Sequence, residues 1–123
     1  MKLREIQEIL SAEVLTEGAD LDKQIKYAFA ADLLSDVLAL ARGTGVQTLL
    51  ITGIVHPQVI HASNIFDLGA IIFVRGKRPV EATLQSAIEN QIPLLVTPYI
   101  MYEACGRLYQ HGLRPSIAKV KNG

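Results

Sequence analysis

Three short segments of the sequence combine small residues, hydroxyls and cations, and each follows an apolar run. They comprise residues 52–56, 74–78 and 97–99. If the apolar runs are parallel strands, these segments meet at the carboxyl edge of the sheet, where open α/β sheets bind ligands. Helices that begin at this edge direct backbone N–H groups and positive dipole ends toward it. The pattern predicts a site for an anionic ligand such as a phosphate or nucleotide; ordinary turns with solvated basic side chains are the alternative.

The candidate ligand-binding residues lie at the ends of the third to fifth predicted strands. The glycines would allow tight turns, and the cations and the histidine would contact the anion. The set is Thr52, Gly53, His56, Arg75, Gly76, Arg78, Thr97 and Tyr99.

No phosphate-binding motif fits the glycine spacing. A P-loop has four residues between its first glycine and Gly-Lys-Ser/Thr. Six residues separate Gly69 from Gly76, and Arg78 stands where the hydroxyl residue belongs. Gly43 and Gly45 precede a predicted strand instead of following it, which excludes a dinucleotide-binding loop.

The remaining reactive side chains do not compose a catalytic or metal site. His56 and His61 are five residues apart, roughly 140° around a helix, which does not suit a shared metal. The single cysteine, Cys105, excludes an internal disulfide and a cysteine-built zinc site, and we expect it to be a packing residue. Glu103 is a candidate near a strand end, with a solvated helix residue as the alternative. We expect no cofactor, no metal and no enzymatic activity.

The composition restricts the class of protein. The chain has 123 residues, 50% of them hydrophobic, and twelve Lys+Arg balance twelve Asp+Glu. This length and apolar content favour one folded domain, and the zero net charge argues against a nucleic-acid binder. The charged residues in 1–10 and the short apolar runs argue against a signal peptide and a membrane span. We expect a cytoplasmic protein.

The apolar periodicity predicts one α/β domain over residues 1–117 and a loose tail over 118–123. Strands are predicted at 12–16, 25–30, 48–52, 70–74 and 93–97, and helices at 2–10, 33–42, 56–67, 79–90 and 99–110. Asp32 or Ser35 is expected to cap the second helix. The residues of this helix expected to face the core are Leu33, Leu34, Val37, Leu38 and Leu40. The near-continuous apolar strands are typical of a mostly parallel sheet of about five strands with helices on both faces.

Three tyrosines are expected on the last helix. Amphipathic aromatic residues such as Tyr99, Tyr102 and Tyr109 are common at interfaces. A small, apolar, charge-balanced domain also tends to bury surplus surface in a symmetric dimer. We therefore expect a homodimer with these tyrosines as candidate interface residues; ordinary boundary packing is the alternative.

Three strand ends also carry a family resemblance. They are Ile51-Thr52-Gly53, Ile71-Ile72-Phe73-Val74-Arg75-Gly76, and Pro93-Leu94-Leu95-Val96-Thr97-Pro98-Tyr99 followed by Tyr102-Glu103. Leu21-Asp22, leading into residues 25–30, also lies where the same family has its corresponding segment. The chain resembles the DRTGG domain, a small α/β module of long phosphotransacetylases and some nucleotide-regulated pyrophosphatases, and distantly the N-terminal domain of HPr kinase/phosphorylase.

Of the residues that name the family, this chain keeps only the last glycine, Gly76. His56-Pro57 stands where the family has Asp-Arg, and Val74-Arg75-Gly76 where it has Thr-Gly-Gly. The resemblance implies a non-enzymatic regulatory or assembly module that is homodimeric and acts on or beside a separate enzyme. The alternative is a small-molecule sensor that binds an anion or nucleotide at the strand ends.

Overall fold

The secondary structure follows the predicted order closely. The computed structural model describes residues 1–43 and 45–120; Thr44 and the end of the predicted tail, 121–123, lie outside them. The helices are α1 (Leu3–Ile9), α2 (Leu34–Leu40), α3 (Pro57–Ile65), α4 (Glu81–Glu89) and α5 (Met101–Gln110). The strands are β1 (Glu13–Val14), β2 (Tyr27–Ala30), β3 (Thr48–Thr52), β4 (Ala70–Phe73), β5 (Leu94–Val96) and β6 (Arg114–Pro115).

The strands form one sheet in the order β1-β5-β4-β3-β2-β6. All neighbours are parallel except β1, which is antiparallel to β5. The mostly parallel α/β fold is thus confirmed, with one strand more than predicted. The extra strand, β6, has two residues, one of them a proline, which is too short for a pattern of apolar residues to reveal.

Both faces of the sheet are buried, which explains why the central strands are apolar throughout. Successive side chains of a strand point to opposite faces. Leu50 and Phe73 belong to the core under α2, α3 and α4, whereas Leu49, Ile51 and Ile72 belong to the core under α1 and α5.

The predicted capping of α2 is wrong. Its N-cap position is Leu33, with no side-chain capping bond, and Ser35 lies inside the helix. The Asp32 carboxylate instead accepts a hydrogen bond from the Gly53 N–H. Leu33 and Leu38 are exposed, and Val37 is the fully buried residue of this helix, because a seven-residue helix presents only a narrow stripe to the sheet.

Two later helices begin after their predicted starts. Helix α4 starts at Glu81, beyond Pro79, and α5 starts at Met101. Tyr99 therefore precedes α5 and is not on one helix with Tyr102 and Tyr109. Position 100, the N-cap of α5, is extended (ψ 163°), so the chain leaves β5 as an open turn before it becomes helical.

Within residues 1–43 and 45–120, four helices end in the same hydrogen-bonded motif. The residue after each C-cap has a positive φ, and the next N–H bonds back to a carbonyl five residues earlier, as in a Schellman motif. The positive-φ residues are Ser11, Asp67, Gln91 and Gly112, and the bonds are Ala12–Gln7, Leu68–Ser63, Ile92–Ala87 and Leu113–Leu108. The motif turns the chain from a helix toward the sheet.

Candidate functional site

The ends of β3, β4 and β5 lie together at one edge of the sheet. The Val74 N–H donates to the Thr52 carbonyl (3.1 Å), and the Gly76 N–H donates to the Thr97 carbonyl (2.8 Å). Thr52, Arg75 and Thr97 therefore share the carboxyl edge that the sequence predicts.

The two threonines hold this edge together from inside. Both are fully buried. The Thr52 hydroxyl donates to the Ala31 carbonyl, and the Thr97 hydroxyl donates to the Leu10 carbonyl, each at 2.6 Å. Their role is to position the loops, since neither hydroxyl faces solvent.

Arg75 occupies a tight turn at the end of β4. The Lys77 N–H donates to the Val74 carbonyl (3.0 Å), and φ is 59° at Arg75 and 63° at Gly76. Two positive φ values with this bond define a type I′ turn, which favours Asn-Gly or Gly-Gly. An arginine at the first position is strained. The turn is fixed to the neighbouring loop by the Arg75 N–H, which donates to the Tyr99 carbonyl (2.8 Å).

Charged side chains close over Gly53 at the end of β3. The Gly53 N–H donates to Asp32 Oδ1 (2.6 Å), and the Gly53 carbonyl accepts from Lys77 Nζ (3.1 Å). A Cβ at this position would lie 3.1 Å from Asp32 Oδ1 and 3.6 Å from Arg75 Nη2. Because Gly53 has no side chain, the Asp32 carboxylate and the Arg75 guanidinium can both lie close to its backbone.

These groups line a cleft of about 360 Å³ at the carboxyl ends of β2, β3 and β4. Its polar lining includes Asp32, His56, Arg75 and Lys77, and Leu33 and Ile54 form an apolar side. His56 is the N-cap of α3 and Pro57 follows it, so the positive end of the α3 dipole faces the cleft. Two cations and this dipole outweigh one carboxylate, and the cleft favours an anion.

A larger cleft of about 520 Å³ lies at the opposite edge of the sheet, between residues 16–20 and the end of α4. Its charged lining is Glu17, Asp20 and Lys23. Burial lowers the pKa of Lys23, while the Asp20 charge opposes that shift. The carboxylates and the negative end of the α4 dipole make this cleft a poor site for an anion.

Five residues of the predicted set do not line the cleft: Thr52 and Thr97 are buried, Gly76 lies in the turn beside Arg75, and Arg78 and Tyr99 have partners elsewhere. Arg78 binds both carboxylate oxygens of Glu13, a residue of β1 (2.6 and 3.1 Å). Tyr99 packs on the other face of the sheet, where the Arg107 guanidinium lies 4.1 Å from its ring centre. Gly53, His56 and Arg75 are the predicted residues that the structure brings together.

Sequence reasoning missed Asp32 and Lys77. Asp32 lies two residues after the end of β2, so the reasoning applied to the other strand ends would also have found it. Lys77 and Arg78 are adjacent cations, and only the turn decides which of them points to the cleft.

Metal-binding clusters, membrane-spanning helices and a reactive cysteine were each sought in the described part of the chain. Within residues 1–43 and 45–120, no three His, Cys, Asp or Glu side chains come together to hold a metal ion. Over the same ranges, no helix has the length and apolarity to cross a membrane. Cys105 is partly buried, and this burial raises its thiol pKa, which disfavours the reactive thiolate.

The fold is similar to that of a solved regulatory region. The crystal structure of the CBS and DRTGG domains of the regulatory region of Clostridium perfringens pyrophosphatase, complexed with its activator diadenosine tetraphosphate, matches 89% of this chain with a TM-score of 0.65 and 18% identity. The match covers 46% of that chain, so this protein spans less than half of its length. No family model and no characterised protein matches the sequence. The likeness shows a common fold and supports the DRTGG-like domain expected from the sequence.

Proposed function

We propose that this chain is a regulatory domain that senses an anionic small molecule, such as a nucleotide, in the cleft over Gly53. The observation that carries the proposal is Arg75, held at φ 59° in a turn that favours asparagine or glycine, with its guanidinium directed over Gly53. Strained residues tend to occur where their side chains have a function.

The electrostatics of the cleft support an anion as the ligand. Arg75 offers a planar guanidinium that can bind two phosphate oxygens, and Lys77 adds an ammonium group. Lys77 Nζ rests on the Gly53 carbonyl at 3.1 Å, a neutral partner that leaves its charge uncompensated by that bond. A bound phosphate would supply the missing negative charge.

The solved structure of similar fold gives this proposal a precedent in another protein. That regulatory region is complexed with a nucleotide activator. For the present chain we propose ligand binding without catalysis, with the bound state read by a separate enzyme. A cytoplasmic location stays a prediction.

The test is a thermal-shift screen of nucleotides and phosphorylated metabolites on the wild type and Arg75→Asn. A ligand at 100 times its Kd stabilises the folded state by roughly 2.7 kcal/mol. Because Asn-Gly suits a type I′ turn, Arg75→Asn should fold at least as stably as the wild type and lose the ligand-induced shift. Arg78→Gln is the matched control and should keep it. The proposal fails if no anion stabilises the wild type, or if Arg75→Asn responds equally.

We also propose self-association through α5, the role expected from the tyrosines. Tyr102 is 86% exposed and Ile100, at the start of the helix, is 58% exposed. Exposed apolar side chains on one helix favour an interface. Light scattering after size exclusion should give a dimer for the wild type and a monomer for Tyr102→Glu. A wild-type monomer at micromolar concentration would contradict this second role and leave the ligand site unaffected.

A further inference from the structure

The cleft contains a carboxylate that a simple anion site would avoid. Asp32 Oδ1 accepts the Gly53 N–H at 2.6 Å and lies on the same side of Gly53 as Arg75 Nη2. Asp32 is exposed, and its carboxylate repels an anion that approaches Arg75. Its negative charge therefore needs an explanation beyond the bond to Gly53.

A structural role does not require this charge. The N-cap of α2 is Leu33, and no side chain forms a capping bond there, so Asp32 is not the cap of that helix. An asparagine oxygen would accept the Gly53 N–H equally well without repelling an anion. A carboxylate accepts about four hydrogen bonds in all, and the Gly53 N–H supplies one.

On the basis of the proposed function, we infer that Asp32 is a specificity residue that accepts hydrogen bonds from hydroxyl groups of the ligand. The ligand class is then a phosphate ester with free sugar hydroxyls, its phosphate on Arg75 and Lys77 and its hydroxyls on Asp32. A carboxylate next to a phosphate site recognises ribose hydroxyls in the same way in dinucleotide-binding folds.

The geometry of Gly53 suits such a ligand. Asp32 Oδ1 and Arg75 Nη2 lie 3.1 Å and 3.6 Å from the position that a Cβ at Gly53 would take, so the two groups are close enough together for one small molecule to contact both. Leu33, 63% exposed at the rim, offers an apolar surface beyond the carboxylate. This surface would favour a nucleotide over a plain sugar phosphate, because it could cover one face of a base.

The test compares inorganic phosphate, ribose 5-phosphate, AMP and 2′,3′-dideoxy-AMP by calorimetry on the wild type and Asp32→Asn. In the wild type we expect ribose 5-phosphate to bind about tenfold more tightly than inorganic phosphate, and AMP more tightly than its dideoxy analogue. Asp32→Asn should weaken ribose 5-phosphate about tenfold and strengthen inorganic phosphate, because the same change removes an acceptor and a repelling charge. Asp36→Asn, on α2 and outside the cleft lining, should change neither affinity.

Each outcome decides a separate point. If Asp32→Asn changes both affinities in the same direction, or if AMP and its dideoxy analogue bind equally, the role of Asp32 is overturned while anion sensing stands. If no phosphate compound binds the wild type, both the proposed function and the inference that rests on it are contradicted. AMP binding more tightly than ribose 5-phosphate identifies a nucleotide, and equal binding identifies a sugar phosphate; either agrees with the role of Asp32.

Discussion

Thr52 and Thr97 make the same pair of hydrogen bonds at the ends of β3 and β5. Each hydroxyl donates at 2.6 Å to a carbonyl of a preceding segment, Ala31 for Thr52 and Leu10 for Thr97. Each also accepts the N–H two residues later, from Ile54 at 3.0 Å and from Tyr99 at 3.3 Å. One residue type thus ties both strand ends to their neighbours and sets the loops that surround the cleft.

Replacing either threonine by valine should be costly. Thr97→Val keeps the shape but leaves the Leu10 carbonyl and the Tyr99 N–H without that partner, and a buried unsatisfied group costs about 1–3 kcal/mol. Urea denaturation should show this loss in the free energy of unfolding, and Thr97→Ser, which keeps the hydroxyl, should recover most of it. A valine variant within about 0.5 kcal/mol of the wild type would mean that the bond contributes little.

The sheet could be predicted from the sequence because β3, β4 and β5 are buried on both faces, which makes their residues continuously apolar. The edge of the site could be predicted for the same reason. Which side chains line the cleft could not be predicted, because this depends on contacts between segments that are distant in the sequence. Aspartate is a common helix cap, and Asp32 lies just before a helix. Its carboxylate instead accepts a hydrogen bond from the Gly53 N–H, at the end of a neighbouring strand. Similarly, the type I′ turn sends Lys77 to the cleft and Arg78 to Glu13.

Two glycine-to-alanine substitutions should have opposite effects on stability. A Cβ at Gly69 would overlap the Val46 carbonyl oxygen and lie 3.0 Å from Ile25 Cδ1, so Gly69→Ala should lower the free energy of unfolding by about 1–3 kcal/mol. A Cβ at Gly106, inside α5, meets nothing within 4 Å among the described residues. Gly106→Ala should raise the free energy by about 0.5–1 kcal/mol, because alanine favours helix. Thermal or urea denaturation of both variants checks the pair; equal signs would contradict the described environments.

Two glutamine-to-glycine substitutions, one inside α4 and one just after it, should also have opposite effects on stability. Gln91 follows this helix with φ 57°, a conformation that costs an L-residue about 1–2 kcal/mol. Gln91→Gly should therefore raise the free energy of unfolding by about 0.5–1 kcal/mol after the added chain entropy of glycine is subtracted. Gln85→Gly makes the same chemical change inside α4 and should lower it by about 1 kcal/mol. If Gln91→Gly is also destabilising, the motif at the end of α4 is not formed in solution.

The ion pair between Glu13 and Arg78 predicts a pH dependence. A hydrogen bond from the Arg78 guanidinium, helped by its charge, holds the pKa of the Glu13 carboxyl below its ordinary value, although some desolvation opposes this. The folded pKa is lower than the unfolded one, so the contribution to stability is present above the unfolded pKa and is lost as the pH falls through the folded pKa.

Arg78→Gln should raise the pKa of Glu13 in an NMR titration, and the loss of stability that this variant shows at neutral pH should vanish in acid. Lys77→Gln, one residue earlier, should leave this pKa unchanged and weaken anion binding instead. A Glu13 pKa that responds to Lys77→Gln, or fails to respond to Arg78→Gln, would show that the two cations have exchanged roles.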